Sequence, residues 1–321
     1  VKTHYLAFWN VENLFDTVDS PVRPEWLQKT LARELEGWDS EILDRKIGQL
    51  SFIIRQMNGG TGPDVLGLCE VENGPVLEKL VQGLAPLGRQ YEIAHHDTSD
   101  KRGIDIAFIY DSNKFTAQEQ FFHVIIKRSA TRDIFQVNFE TSGGRELIAI
   151  GNHWPSRSGG ELESEPYRMT AGQTLSHWME RIEEIKGDDA AVIVMGDFND
   201  EPFNRSITDY ALAGNSATKV LNSRSPRFFN LMWPFLGQGF GTHYFDNFPN
   251  VLDQFWVSKG IVNGRSGFRV EAGSVKIEKY PPMVTPGSYP VPVRFGRPAG
   301  KLNKDGFSDH YPVSVMLLEE A

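Results

Sequence analysis

Short apolar runs recur along the whole sequence, set apart by turn-forming residues or by longer amphipathic stretches. "DVLGLC" at 64–69, "ELIAIGN" at 146–152 and "AAVIVMG" at 190–196 are three of them. Runs this short, bounded by Gly, Pro, Asn or Asp, read as β-strands. Further strands are expected at 3–9, 91–95, 105–110, 121–126, 134–140, 251–258 and 311–317. Between Glu41 and Met57, Leu43, Ile47, Leu50, Ile54 and Met57 instead repeat at spacings of four and three, one face of a helix. Leu175, Trp178 and Ile182 keep the same period between Ala171 and Ile185, and Pro75 suits the first turn of a helix over 74–87. Strands alternating with such helices constrain the chain to an α/β fold.

With 321 residues the chain has room for one large α/β domain or two ordinary ones. No repeat, low-complexity tract or linker divides it. One domain over residues 1–321 is expected, with surface insertions near 16–40, 220–248 and 264–304. The last, rich in Gly, Pro and Arg, reads as a long surface excursion. A formal charge of −9 argues against wrapping nucleic acid with a broad basic face. It leaves local cationic patches open and suits a cleft that holds a divalent cation. Cys69 is the single cysteine, which excludes an intrachain disulfide, and it reads as a small core residue. No apolar stretch approaches the length of a membrane span. The sequence opens "VKTHYLAFWN", without an initiator Met or a signal-peptide apolar region. A soluble protein is expected, with any export signal removed or trimmed.

The polar residues least suited to a core collect at strand ends. Asn10 follows "LAFW", Glu70 follows "DVLGLC", His153 closes "ELIAIGN", and Asp197 and Asn199 follow "AAVIVMG". Asp253 lies in "VLDQFWVS", and Asp309-His310 precede the last strand. Ligands of α/β sheets sit outside strand ends, so the recurrence suggests one shared site. Taken singly, each has a plain alternative. Asn10 would equally cap a turn, "GDFND" would equally be an Asx-rich turn, His153 a packed core histidine and Asp253 an edge-strand acid. Glu70 has a poorer structural excuse, because an acid after an apolar strand must be paired, hydrated or metal-bound. Asp309 and His310, adjacent on extended chain, should face different ways. The inventory is carboxylates, amides and two histidines, with no cysteine ligand and no His pair at zinc spacing, and oxygen ligands favour Mg²⁺, Mn²⁺ or Ca²⁺ over Zn²⁺. A glycine-rich phosphate loop, a G-x-S-x-G elbow and a dinucleotide fingerprint are all absent, leaving acyl and hydride transfer unsupported.

Seven segments, in this order, resemble the endonuclease/exonuclease/phosphatase superfamily, the deoxyribonuclease I-like fold. They are "AFWNVENLFD", "DVLGLCEVEN", "RGIDIAFIYD", "GNHWPSR", "VIVMGDFNDEP", "VLDQFWVS" and "GFSDHYPV", spanning residues 7 to 313. The resemblance implies a four-layer α/β sandwich, two mixed β-sheets face to face with helices outside. It implies that Glu70 is the principal metal ligand, with Asn10 and Asp309 beside the ion. Asp197, helped by Asn199, would orient and deprotonate the attacking water. His310, held by Asp253, would donate to a non-bridging phosphate oxygen. His153 would sit near the leaving group, positioned by Asp105. Arg102, Arg132 and Arg168 fall where phosphate contacts are expected.

The superfamily cleaves nucleic acids, inositol phosphates and sphingomyelin with one core, so fold alone does not choose the substrate. Val251-Leu252-Asp253-Gln254 departs from the Trp-Cys-Asp-Arg of inositol polyphosphate 5-phosphatases, and "GDFNDEP" is closer to the nuclease-like members. A divalent-metal-dependent nuclease is the first expectation, with nucleic acid as substrate. A phosphatase or phosphodiesterase acting on small-molecule or lipid phosphates is the second. A binding protein that kept the fold without catalysis is the third. No protein partner is implied. Trp154, Arg157, His243 and Tyr244 are expected along the substrate groove, or alternatively in surface packing.

Overall fold

The computed structural model describes residues 1–127 and 130–320. Strand β1 (Lys2–Leu14) is buried from His4 through Glu12, which is possible only for a strand covered on both faces. It pairs in parallel with β2 (Val65–Val71). β3 (Tyr91–His95) and β4 (Asp105–Asp111) complete this side of the first sheet. The chain then crosses to a second sheet with β5 (Phe115–His123), β6 (Ile134–Thr141), β7 (Glu146–His153) and β8 (Val192–Asp197). Short β9 (Ala213–Gly214) and β10 (Phe228–Asn230) lie at its edge. A separate hairpin, β11 (His243–Phe245) and β12 (Phe248–Asn250), precedes β13 (Asp253–Val257). The chain finally returns to the first sheet with β14 (Phe268–Val270), β15 (Lys276–Ile277) and β16 (Val313–Glu319).

The first sheet runs β14-β16-β1-β2-β4-β3, with β15 also on β16, and the second runs β5-β6-β7-β8-β13-β10-β9. Both are mixed: β1–β2 and β7–β8 are parallel, whereas β1–β16 and β8–β13 are antiparallel. The sheets pack face to face around Phe8, Phe108, Phe139, Ala149 and Met195. Gly67 of β2 makes that approach possible, since a Cβ there would lie 2.8 Å from Phe8 and 2.9 Å from Met195 Sδ. Outside the first sheet lie the helices Ser40–Ile54 and Gly74–Gly83, burying Leu43, Ile47, Leu50, Val76, Leu77 and Leu80. Asp39 and Asn73 cap them, accepting from Ile42 N and Val76 N. Outside the second sheet, helix Glu161–Lys186 lays Ala171, Leu175, Met179 and Ile182 on Ile148, Val192 and Trp256. Four layers result. No helix of the described residues is long and apolar enough to cross a membrane.

Several elements differ in extent from their sequence reading. β1 runs on through Leu14, β5 ends at His123 rather than at 126, and the last strand occupies 313–319. The long helix begins at Glu161, ten residues ahead of the apolar repeat at Ala171. Its first turns bury Ser164 and Arg168 instead of apolar side chains, so the helical period is hidden there. Segment 264–304 supplies β14 and β15 and buries Phe295 beside Trp38, Leu27, Leu31 and Leu35 of segment 16–40. Cys69 is fully buried in the main core.

Candidate active site

Strand register assembles half of the site. β7 pairs His153 with Asp197 of β8, and β8 pairs Asp197 with Asp253 of β13, so three residues sit in a row across one sheet edge. The facing sheet contributes Asn10 from β1 and Glu70 from β2. In both strands the register slips there, between Asn10 and Leu14 and between Cys69 and Val71. Such bulges re-aim side chains. Glu12, Asn13 and Glu70 accordingly hold positive φ of 52°, 59° and 65°, and Asn199 beyond β8 holds 51°. Half of the eight positive-φ non-glycine residues among the described residues fall around this cleft, the kind of backbone that functional sites hold in place.

Asp197 is at the centre. Its Oδ1 accepts from Asn199 N at 2.9 Å and its Oδ2 from Asn10 Nδ2 at 3.0 Å. The same Oδ2 lies 3.8 Å from His153 Nε2 and 3.9 Å from His310 Nε2. Burial pushes the carboxyl up to about 7, with the Asp253 charge adding to the rise and His310 opposing it. Gly196 before it admits no side chain, because a Cβ would stand 2.4 Å from the Asn152 carbonyl oxygen.

The two imidazoles differ in charge. His310 Nδ1 donates to Asp253 Oδ2 at 2.7 Å, and Thr242 Oγ1 accepts from Asp253 N. Burial alone would lower the His310 pKa, but Asp253, Asp197 and Asp309 together hold it well above its usual value. His153 is pushed well below the usual range by burial and by the cations Arg132, Arg102 and His310, and its Nδ1 has no hydrogen-bond partner. The cleft thus offers a cationic and a neutral imidazole on either side of one carboxylate. His243 of β11 bridges to His310, ring centroids 4.6 Å apart; burial and the adjacent cation push it down to about 4.

Glu70 Oε2 accepts from Asn13 N at 2.9 Å, while Oε1 faces His153 Nε2 at 3.7 Å. Asp309 Oδ2 faces Arg294, 3.6 Å from Nη2. Three charged residues around these acids were not legible as site members. Glu12 is buried, its Oε1 receives Arg294 at 2.7 Å, and burial followed by the Asp309 charge raises its pKa. Lys46, fully buried beneath, donates to the Phe307 carbonyl at 2.8 Å, and burial lowers it to about 8 against the pull of Glu12, Asp309 and Glu70. A glutamate two residues past Asn10 is the one local hint; Lys46 reads as a solvated helix position.

The remaining expected residues divide. Arg102 donates from Nη2 to Asn13 Oδ1 at 2.5 Å, and Arg132 from Nη2 to the Trp154 carbonyl at 3.3 Å, both beside His153. Asn199 Nδ2 donates to that same carbonyl at 3.1 Å. Arg168 is not at the cleft. It is wholly buried, with Nε 2.8 Å from Asp200 Oδ2 and its other nitrogens on Ser164 and the carbonyls of Pro155 and Glu161. Asp105 makes no hydrogen bond to His153: its Oδ1 accepts from Thr98 N and Oγ1, and its Oδ2 faces His95. Trp154 does not line a groove either, being fully buried against Phe198 and Trp256. Arg157, His243 and Tyr244 are partly exposed.

Among the described residues, two groups of carboxylate and imidazole donors lie close enough together for a cation, Asp197-Asp253-His310 and His95-Asp97-Asp105. In the first, His310 Nδ1 is already committed to Asp253.

The family model described as Endonuclease/Exonuclease/phosphatase family matches residues 5–319. No curated protein matches the chain in sequence. Similar solved structures include an endonuclease/exonuclease/phosphatase family protein from Bacteroides thetaiotaomicron, 16% identical with a TM-score of 0.59, covering 100% of this chain and 99% of that one. The human Nocturnin catalytic domain with bound sulfate is 16% identical at a TM-score of 0.53, covering 99% and 94%. A mannosyl-6-phosphatase from Bacteroides thetaiotaomicron is 16% identical at 0.56, covering 98% and 99%. At these identities the likeness establishes the fold, two mixed sheets with helices outside.

Proposed function

This chain belongs to the endonuclease/exonuclease/phosphatase family, and from that premise we propose that it is a divalent-metal-dependent phosphodiester hydrolase of nuclease type. The observation that carries the reading is Asp197 Oδ2, placed 3.8 and 3.9 Å from a neutral and a cationic imidazole. A phosphodiester already bears one negative charge, so water attack demands a base for the water and cationic donors for the oxygens.

Asp197, ionised near neutrality, takes the proton of the attacking water, and Asn199 orients it. His310, protonated and held by Asp253, donates through Nε2 to a non-bridging oxygen as charge builds. The P–O bond to the leaving group breaks opposite the attacking water and the leaving oxygen takes a proton from solvent; His153, whose Nε2 stands 3.8 Å from Asp197 Oδ2, lies beside the phosphate, with Arg102 and Arg132 adding positive potential. Glu70 and Asp309, with Asn10 beside them, offer oxygen donors that suit Mg²⁺, or Mn²⁺ or Ca²⁺, and Glu70 Oε1 is left without a hydrogen bond. A cation held there would polarise the phosphoryl oxygen.

A nucleic-acid substrate is favoured by the hairpin beside His310. Its tip presents Phe245 and Phe248, 70% and 73% exposed, as surfaces on which bases can stack. The test is a panel: the full chain with Mg²⁺ or Mn²⁺ against plasmid, single-stranded DNA, RNA, an inositol phosphate and a bis-aryl phosphodiester. Chelator-sensitive cleavage of nucleic acid supports the reading. Turnover confined to the inositol phosphate moves it to a small-molecule phosphatase. No turnover of any substrate, with metal still bound, makes the protein a non-catalytic binder.

A further inference from the structure

A second set of cation-type donors lies outside the cleft, where the loop at 96–104 joins β3 to β4. His95 Nε2 is 3.7 Å from Asp105 Oδ2 and 3.9 Å from Asp97 Oδ1. One donor atom from each of the three residues lies within 4.8 Å of the others. Asp105 is already aimed: Thr98 engages its Oδ1 through both N and Oγ1, at 3.1 and 2.5 Å, which turns Oδ2 toward the imidazole. Fixing a carboxylate through its other oxygen is how metal ligands are held in place.

The His95 side chain is only 9% exposed, and its Nε2 is sealed from solvent with no hydrogen-bond partner. Leaving a buried polar atom unsatisfied costs about 1–3 kcal/mol. Separations of 3.7 and 3.9 Å are too long for hydrogen bonds. They are close to what an ion between the atoms requires, since two bonds of about 2.1 Å at a tetrahedral angle set donor atoms about 3.4 Å apart. One imidazole nitrogen among carboxylates selects a first-row transition ion over Mg²⁺ or Ca²⁺.

We propose that His95 Nε2, Asp97 and Asp105 form a second divalent-metal site, of zinc type, distinct from the oxygen-donor site at Glu70 and Asp309. The ion would fasten the loop whose Asp100 lies 3.4 Å from Arg132 Nη1 and whose Arg102 reaches Asn13. It accounts for why Asp105 Oδ2 faces His95.

Zn²⁺ alone, titrated into the chelator-stripped full chain, tests this by stoichiometry and by the ¹⁵N shifts of labelled histidines. Wild type should bind one more Zn²⁺ than His95→Gln, with His95 Nε2 shifting on binding. Asp97→Asn, at a side chain 80% exposed and therefore safe for folding, should weaken that ion at least tenfold. Equal stoichiometry and affinity in wild type and both variants overturns the site, leaving a His–Asp ion pair only. Loss of the same ion in Glu70→Gln, with His95→Gln unaffected, overturns it too, because the ion then belongs to the cleft.

Discussion

His310 Nδ1 lies 2.7 Å from Asp253 Oδ2, a contact between residues 57 positions apart that joins the loop before β16 to the first residue of β13. The Asp253 carboxylate fixes the ring, leaving Nε2 to face Asp197. It also helps keep His310 protonated well above the usual pH. Asp253→Asn should therefore lower kcat by about 10²–10³-fold while the far-ultraviolet circular dichroism is unchanged. An NMR titration should find the His310 pKa lower in the variant. The folded His310 pKa lies above the unfolded value near 6.5. The pair's stabilisation is complete below that pH and fades as pH rises through the folded pKa, a loss that the variant should largely lack.

In the proposed mechanism Asp197 should supply the pH dependence of the rate. A carboxylate acts as a base only when ionised, and burial has moved this one up to about 7. kcat/KM should rise with pH through about 7, with His310 still protonated across that range. Asp197→Asn should lower turnover by about 10²–10⁴-fold and abolish the rising limb. A rising limb at unchanged pH in the variant would assign it to another group.

In the proposed site Glu70, with Asp309 and Asn10 near it, should set the metal requirement. Chelator treatment should abolish turnover, and added Mg²⁺ or Mn²⁺ should restore it. In Glu70→Gln the remaining donors are Asp309 and Asn10, so half-maximal activity should need about 10–100-fold more metal. The assay is activity against free metal concentration. An unchanged requirement would move the ion away from Glu70.

What could be read in the sequence was what a single strand records. Glu70 after five apolar positions and Asp197 after "AAVIVMG" betray themselves because each strand end, taken alone, has no core use for an acid. The helix positions were legible wherever one face is apolar, as at Leu43, Ile47 and Leu50. Glu12, Lys46 and Arg294 were not, since the reason for their charge is 282 residues away in one case and across two layers in another. Lys46 on a helix carries no local sign that it faces inward beneath acids. Arg168 misled for the converse reason: an arginine near a catalytic motif looks like a phosphate ligand until its buried partner, Asp200, is located.

Arg168 therefore gives the sharpest division between structural and substrate roles. Its guanidinium ties the segment after His153, through the Pro155 carbonyl, to Asp200 in the segment after Asp197, and both charged side chains are at most 1% exposed. Without Arg168 the buried Asp200 carboxylate keeps only Arg157 Nη2, 3.2 Å away, and the Ser206 hydroxyl. Arg168→Ala should therefore destabilise the fold by about 1–3 kcal/mol, read as a lowered denaturant midpoint. KM for the best substrate, measured well below the transition, should stay within a factor of two or three, as for any group with no face open to substrate. Arg168→Met with Asp200→Asn removes both charges and should recover part of the lost stability. A single variant with wild-type stability and a strongly raised KM would instead return Arg168 to the substrate.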